Sequence, residues 1–149
     1  MATRAEGERQ IGLSAEPLDV DALVQAVRTD AHGAVVTFLG VTRETSPDDP
    51  RPVAALEYEA YPLAAIAEME AIAREAEATY GPLGIAMVHR TGVVALGEPS
   101  VVVVVASPHR AHAFDACRFA IDALKARAAI WKKELYADGG GAWVPNTGS

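Results

Sequence analysis

With a single cysteine among 149 residues, the chain offers no internal disulfide and no set of thiolates for a multi-cysteine metal centre. No apolar run approaches the ~20 residues that cross a bilayer, and the opening MATRAEGERQ lacks the apolar stretch of a signal peptide. A cytoplasmic chain without membrane association is the expectation. Neither GxxxxGK followed by Ser or Thr nor GxGxxG occurs, so neither usual nucleotide cradle is present. HExxH is missing too. His109, His112 and Asp115 stand at i, i+3 and i+6 and drift around a helix instead of converging, so no metal is expected. Ser107 has no nucleophile-elbow context, which argues against a serine hydrolase. The formal net charge of -7 disfavours nonspecific contact with nucleic acid or an anionic membrane. Internal repeats and a domain linker are also absent. The expectation is one domain over residues 1–149, with 1–8 and 145–149 as loose tails.

Half of the residues are apolar, enough at this length for a hydrophobic core. Period-two runs predict strands over residues 9–13, 33–42, 53–60, 85–90 (continued by 92–94), 130–136 and 142–144. Helical spacing predicts helices over 19–28, with Asp19 as N-cap, and over 63–80. Residues 43–52, RETSPDDPRP, carry three prolines and read as a mobile loop. Gly40 marks a bulge or a close backbone approach. His89–Arg90 is either a functional pair or, more simply, a paired polar strand end. Strands and helices alternate irregularly, with hairpin-like pairs, which suits an α+β fold.

The densest signal lies in residues 101–138. Five consecutive valines predict a strand buried on both faces. Ser107 and Pro108 then read as the cap and first position of a helix. That puts His109 and Arg110 in a first turn, where free amides and the helix dipole favour an anion. Ala113, Phe114, Cys117, Ile121, Leu124 and Ala128 form the apolar stripe; Arg118, Asp122 and Lys125 lie opposite. Lys125, Lys132 and Lys133 fall at the helix end and in the following strand. Two readings stand side by side: a solvated face leading to a lysine-guarded edge strand, or a basic island in an acidic protein that holds a small anion. Arg43, where a strand enters the 43–52 loop, is either an ordinary exposed arginine or a side chain delivered to a site. Cys117 reads as a small core residue.

GAVVTFLGVTR, LEYEAY, VHRTG, VVVASPHRAHAF and IDALKARAAIWKKE followed by Trp143 together resemble the catalytic (large) subunit of molybdopterin synthase, from about residue 11 to 143. One departure is Ala129, where that family usually has proline. The resemblance implies an α+β fold, an α/β hammerhead-like core with an additional antiparallel β-sheet. It implies a sulfurtransferase of molybdenum cofactor biosynthesis that turns cyclic pyranopterin monophosphate into molybdopterin. The sulfur would come from a small ubiquitin-like carrier subunit bearing a C-terminal Gly-Gly thiocarboxylate. A homodimer within a heterotetramer is implied, with each site drawing on both large subunits, and no cofactor. Lys125 matches the family's essential lysine and Lys132 a second active-site lysine. Arg43, His109 and Arg110 match positions that bind substrate phosphate or pterin. Val41, Thr42, Lys133 and Glu134 are carried with them as substrate contacts. Cations flanking Lys125 would lower its pKa; acid, base and nucleophile all remain open as its role. The rival readings are a noncatalytic sensor of a phosphorylated metabolite and a purely structural subunit.

Overall fold

The valine run is the spine of the larger of two sheets. A computed structural model describes residues 8–46 and 49–144; the expected tails at 1–7 and 145–149, and positions 47–48 of the loop, lie outside them. In chain order the elements are β1 (Arg9–Ser14), α1 (Val20–Val27), β2 (Ala34–Val41), β3 (Val53–Ala60), α2 (Pro62–Tyr80), β4 (Gly84–Arg90), β5 (Gly92–Ala95), β6 (Pro99–Ser107), α3 (Arg110–Arg127), β7 (Ile130–Tyr136) and β8 (Gly141–Val144). The first sheet has the order β1-β4-β6-β2 and the second β5-β3-β7-β8. β1 and β4 pair in parallel; the other named pairs are antiparallel. The fold is thus mixed α+β, as the irregular alternation implied, with the separate antiparallel sheet that the resemblance implied.

β6 is central because both its faces are covered. Val101, Val103 and Val105 pack with Ile85, Met87 and the inner faces of α2 and α3. Val102, Val104 and Ala106 pack with Val27 of α1 on the other side. Asp19 caps α1 by accepting from the Ala22 amide at 3.0 Å, one of the amides a helix start leaves unpaired. Gly40 is the close approach expected: a Cβ there would stand 2.6 Å from Val101 Cγ1, and the β2–β6 register shifts between Gly40 and Val41. No helix among the described residues is long and apolar enough to cross a membrane.

Three local expectations are corrected. α3 begins at Arg110, with His109 as an N-cap that makes no side-chain cap bond; Ser107 is instead the last residue of β6, its Oγ buried without a partner. The strand continues two residues further than the valines because β2 pairs with it as far as Ser107. Phe114 is 60% exposed, since the buried stripe is made by Ala113, Ala116, Cys117, Ala120, Ala123 and Leu124. Small residues there let α3 lie close on the sheet. β7 is no edge strand: it lies between β3 and β8, so its lysines do not guard an open edge.

Candidate active site

The two sheets meet where β6 begins and β7 runs past β3, and the C-terminal end of α3 closes over that seam. α3 returns antiparallel to β6, so its last turns lie over the start of the strand. This brings Lys125, on the final turn, towards Lys132 on β7. Lys132 is 8% exposed, in register with Tyr58 of β3. Burial pushes the Lys125 ammonium down to about 8, with Lys132's charge adding to the effect. Lys132 is lowered by burial as well; Glu134 works against this and the Arg43 guanidinium with it. Lys125, Lys132, Glu134 and Arg43 therefore share one electrostatic neighbourhood. The expectation that Lys125 would be depressed by flanking cations holds, but burial is the larger cause. Lys125 is half-buried, not a fully solvated residue of the polar face.

Each of these side chains has a local reason for its place. Arg43 leaves the sheet behind Thr42, whose amide donates to the Glu98 carbonyl at 3.2 Å and whose own carbonyl accepts from Gly97 at 2.8 Å. That clamp fixes the strand end that delivers the arginine. Thr42 is itself buried, while Val41 is 47% exposed. Glu134 is buried and accepts from the Tyr136 hydroxyl at 3.0 Å; Tyr136 is in turn roofed by Arg51, 3.8 Å from its ring centre. Alternation along β7 puts Lys132, Glu134 and Tyr136 on one face and Trp131, Lys133 and Leu135 on the other. Lys133 thus points away from Lys132, its Nζ 5.9 Å from the Trp143 ring centre. That outer face carries an open groove of about 470 Å³ lined by Tyr61, Trp131, Trp143 and their neighbours.

His109 and Arg110 are exposed at the opposite end of α3. Fifteen residues of helix separate Arg110 from Lys125, about 22 Å at the α-helical rise. Within one chain, the two halves of the expected site do not meet.

The family model described as "MoaE protein" matches residues 13–127, well over half of the chain. The chain belongs to the MoaE family. A curated relative from Pyricularia oryzae, named molybdopterin synthase catalytic subunit, is 40% identical over 136 residues, covering 91% of this chain and 74% of that protein. The solved structure of molybdopterin synthase from Staphylococcus aureus is similar with a TM-score of 0.84 at 30% identity, over 97% of this chain and 98% of that one. A structure of the complex of subunits 1 and 2 of molybdopterin-converting factor from Helicobacter pylori shares the fold, with a TM-score of 0.72 at 20% identity, over 90% of this chain and 89% of that one.

Beside the residues expected from the MoaE resemblance, the structure places one more at the seam. His89 is fully buried, and its ring meets Tyr58 edge-on at 4.7 Å between centres. Its neighbour Arg90 is the paired strand end expected, with Glu98 at 3.2 Å and the Ala15 and Val93 carbonyls at 3.2 Å. The sequence signal for His89 was its spacing: it lies two and four residues after Met87 and Ile85, on the face of β4 that meets α3.

Proposed function

We propose that this chain is the catalytic subunit of a molybdopterin synthase, a sulfurtransferase that converts cyclic pyranopterin monophosphate to molybdopterin with sulfur from the thiocarboxylated tail of a small carrier subunit. The observation that carries the reading is the buried lysine pair. Holding Lys125 and Lys132 partly desolvated in one electrostatic neighbourhood opposes their charging, an arrangement that suits a site of chemistry better than a structural surface. An ammonium with a pKa near 8 holds an anion at neutral pH yet gives up its proton readily. It can therefore grip a thiocarboxylate or phosphate and serve acid–base chemistry in the same place. A sensor needs only the cations that bind, not an ammonium poised for proton exchange.

The chain's own sulfur is unsuited to the transfer. Cys117 is buried, its Sγ 3.8 Å from the Val103 carbonyl, and burial raises its thiol to about 11, so almost no thiolate is present at neutral pH. An external donor fits better, and a Gly-Gly tail is thin enough to reach a narrow seam. Cys117→Ala should keep full sulfur transfer in the reconstituted enzyme and lose about 1 kcal/mol of stability to a small cavity. Cytoplasmic action goes with this reading, in line with the lone reduced thiol.

A homodimer, with a carrier on each copy, follows from the span of α3. If His109 and Arg110 hold the substrate phosphate near Lys125, they must come from a second copy, because in one chain they lie a helix length apart. Exposed Val35, Leu39 and Val41 along β2, an edge strand, give such a partner an apolar surface. The decisive experiment mixes the chain with thiocarboxylated carrier and precursor and assays molybdopterin. Absence of product with a folded protein rejects the function. At precursor concentrations too low to fill the Arg110→Ala site, mixing and re-annealing Lys125→Ala with Arg110→Ala should restore about a quarter of wild-type turnover, since half of the dimers are mixed and one site in each keeps both groups. No restoration rejects the shared site.

A further inference from the structure

Lys132, Glu134 and Tyr136 alternate onto the buried face of β7. Glu134 therefore stands between a cation and a phenol, each about 7 Å away along the strand. Both side chains are long enough to reach it, and an ammonium is the stronger partner for a carboxylate. The structure shows the weaker partner in place. Glu134 accepts from the Tyr136 hydroxyl at 3.0 Å, and among the described residues it forms no ion pair with Lys132. The charge balance of Lys132 agrees. Burial lowers its ammonium, the field of Glu134 opposes this without reversing it, and Arg43 adds to the lowering.

The phenol is held from several sides. Tyr136 pairs with Val53 of β3, and its amide donates to the Gly140 carbonyl at 2.8 Å. Arg51 covers the ring, 3.8 Å from its centre, and is itself fixed by Asp49 at 2.6 Å. Asp49 also feels the Tyr136 hydroxyl, but the Arg51 guanidinium is its main partner. The single hydroxyl proton is thereby left to Glu134. Around Lys132 stand Tyr58, its cross-strand neighbour, Arg43 and Glu134, and the Lys125 ammonium that it lowers. Of these, Glu134 alone is anionic.

We propose that Tyr136 is a positioning residue of the lysine site: its hydroxyl holds the Glu134 carboxylate off Lys132, so that the ammonium keeps its N–H donors for an anionic ligand. This inference rests on the reading of Lys132 as an anion-holding lysine. Held at a distance, the carboxylate favours the charged form of Lys132 without occupying it. In a direct ion pair the same carboxylate would compete with a phosphate or thiocarboxylate. A phenol suits the task because it is a neutral donor. It satisfies a buried carboxylate and adds no further charge to a site that already gathers cations.

The test titrates Lys132 in the full chain, by NMR of ¹³C-labelled lysines with Lys132 assigned through Lys132→Arg. Tyr136→Phe removes the hydroxyl alone and frees Glu134 to turn to the ammonium. The acid dissociation constant of Lys132 should then fall at least about threefold, because a paired ammonium holds its proton more tightly. Where Glu134→Gln has already removed the carboxylate, adding Tyr136→Phe should change that constant by less than about 1.5-fold. A purely structural hydroxyl would move Lys132 equally in both backgrounds, and that result overturns the proposal, as does an unchanged titration in folded Tyr136→Phe. A crystal structure of the wild-type protein gives a check that needs no variant to fold: Tyr136 should remain on Glu134, and a direct Lys132–Glu134 ion pair overturns the proposal. By calorimetry the precursor should bind Tyr136→Phe at least about threefold more weakly; equal affinity in a variant whose Lys132 titration has moved overturns the purpose assigned to the bond. A wild-type chain that binds no precursor rejects the proposed function instead, and the Lys132 titrations still decide whether Tyr136 holds Glu134 away.

Discussion

The two ends of α3 present cations in opposite ways. At the N-terminal end, His109 and Arg110 stand in solvent; at the C-terminal end, Lys125 is half-buried and depressed to about 8. The helix dipole does not explain the contrast, because it favours cations at the C-terminal end and so would hold Lys125 charged. Burial overrides it. An exposed cation near a helix start attracts an anion at little cost to the fold. A buried cation beside another opposes folding, and that cost marks where chemistry, beyond attraction, is carried out.

Removing the buried cation should have the largest effect. Lys125→Ala is expected to lower molybdopterin formation by at least ~100-fold, the low end for a lost acid–base group, in a protein whose circular dichroism matches wild type. Near-normal turnover would erase the distinction between the two ends. Removing the exposed cation should cost binding more than rate: Arg110→Ala is expected to weaken precursor affinity by about 1.5–3 kcal/mol, the range for a lost charged hydrogen bond, as read by calorimetry.

The same contrast predicts an opposite effect on stability. Lys125 has a folded pKa near 8, below its ordinary value, so the unfolded chain binds more protons between the two. The destabilisation is fully present below pH 8 and fades as the pH rises towards the unfolded value. Lys125→Met should therefore raise unfolding stability by about 1–3 kcal/mol at pH 6–7, with the gain shrinking in alkaline denaturant titrations. A destabilised methionine variant would mean that the ammonium is well solvated. The smallest effect belongs to Lys133, which alternation sends to the outer face: Lys133→Ala should leave stability and precursor binding each within about 0.5 kcal/mol of wild type.

Much of this was legible in the sequence where one periodicity dominated. β3, β7 and α1 came from clear alternation or helical spacing, and Asp19 was recognisable as a cap. The start of α3 was not, because Ser107–Pro108 has the composition of a helix start while β2 keeps Ser107 in the sheet by pairing with it. Phe114 misled for a related reason: it has the right spacing for the buried stripe, but alanines bring the helix too near the sheet for a phenyl ring to fit beneath it. The lysines were legible as a pair, and their burial was not, because it depends on how β7 of the second sheet meets the end of α3, which no local pattern records. His89 carried no local signal beyond its strand phase. Its environment is assembled by β3, α3 and β7, all distant in sequence.

β6 also raises a question of alignment during folding. Shifting a run of identical valines along its neighbours replaces valine with valine, and a strand buried on both faces does not distinguish its two sides by polarity. The strand therefore carries little information about its own register. The neighbours must supply it. Gly40 admits Val101 against β2 where any larger residue would collide, Gly84 does the same for the backbone of Val27, and Ser100 ties back to the Gly40 carbonyl at 3.2 Å. A misaligned sheet would lose all three fits while keeping its hydrophobic burial, making it a compact trap. The glycines flanking the valine strand thus act as alignment marks, and the placement of both lysines depends on them.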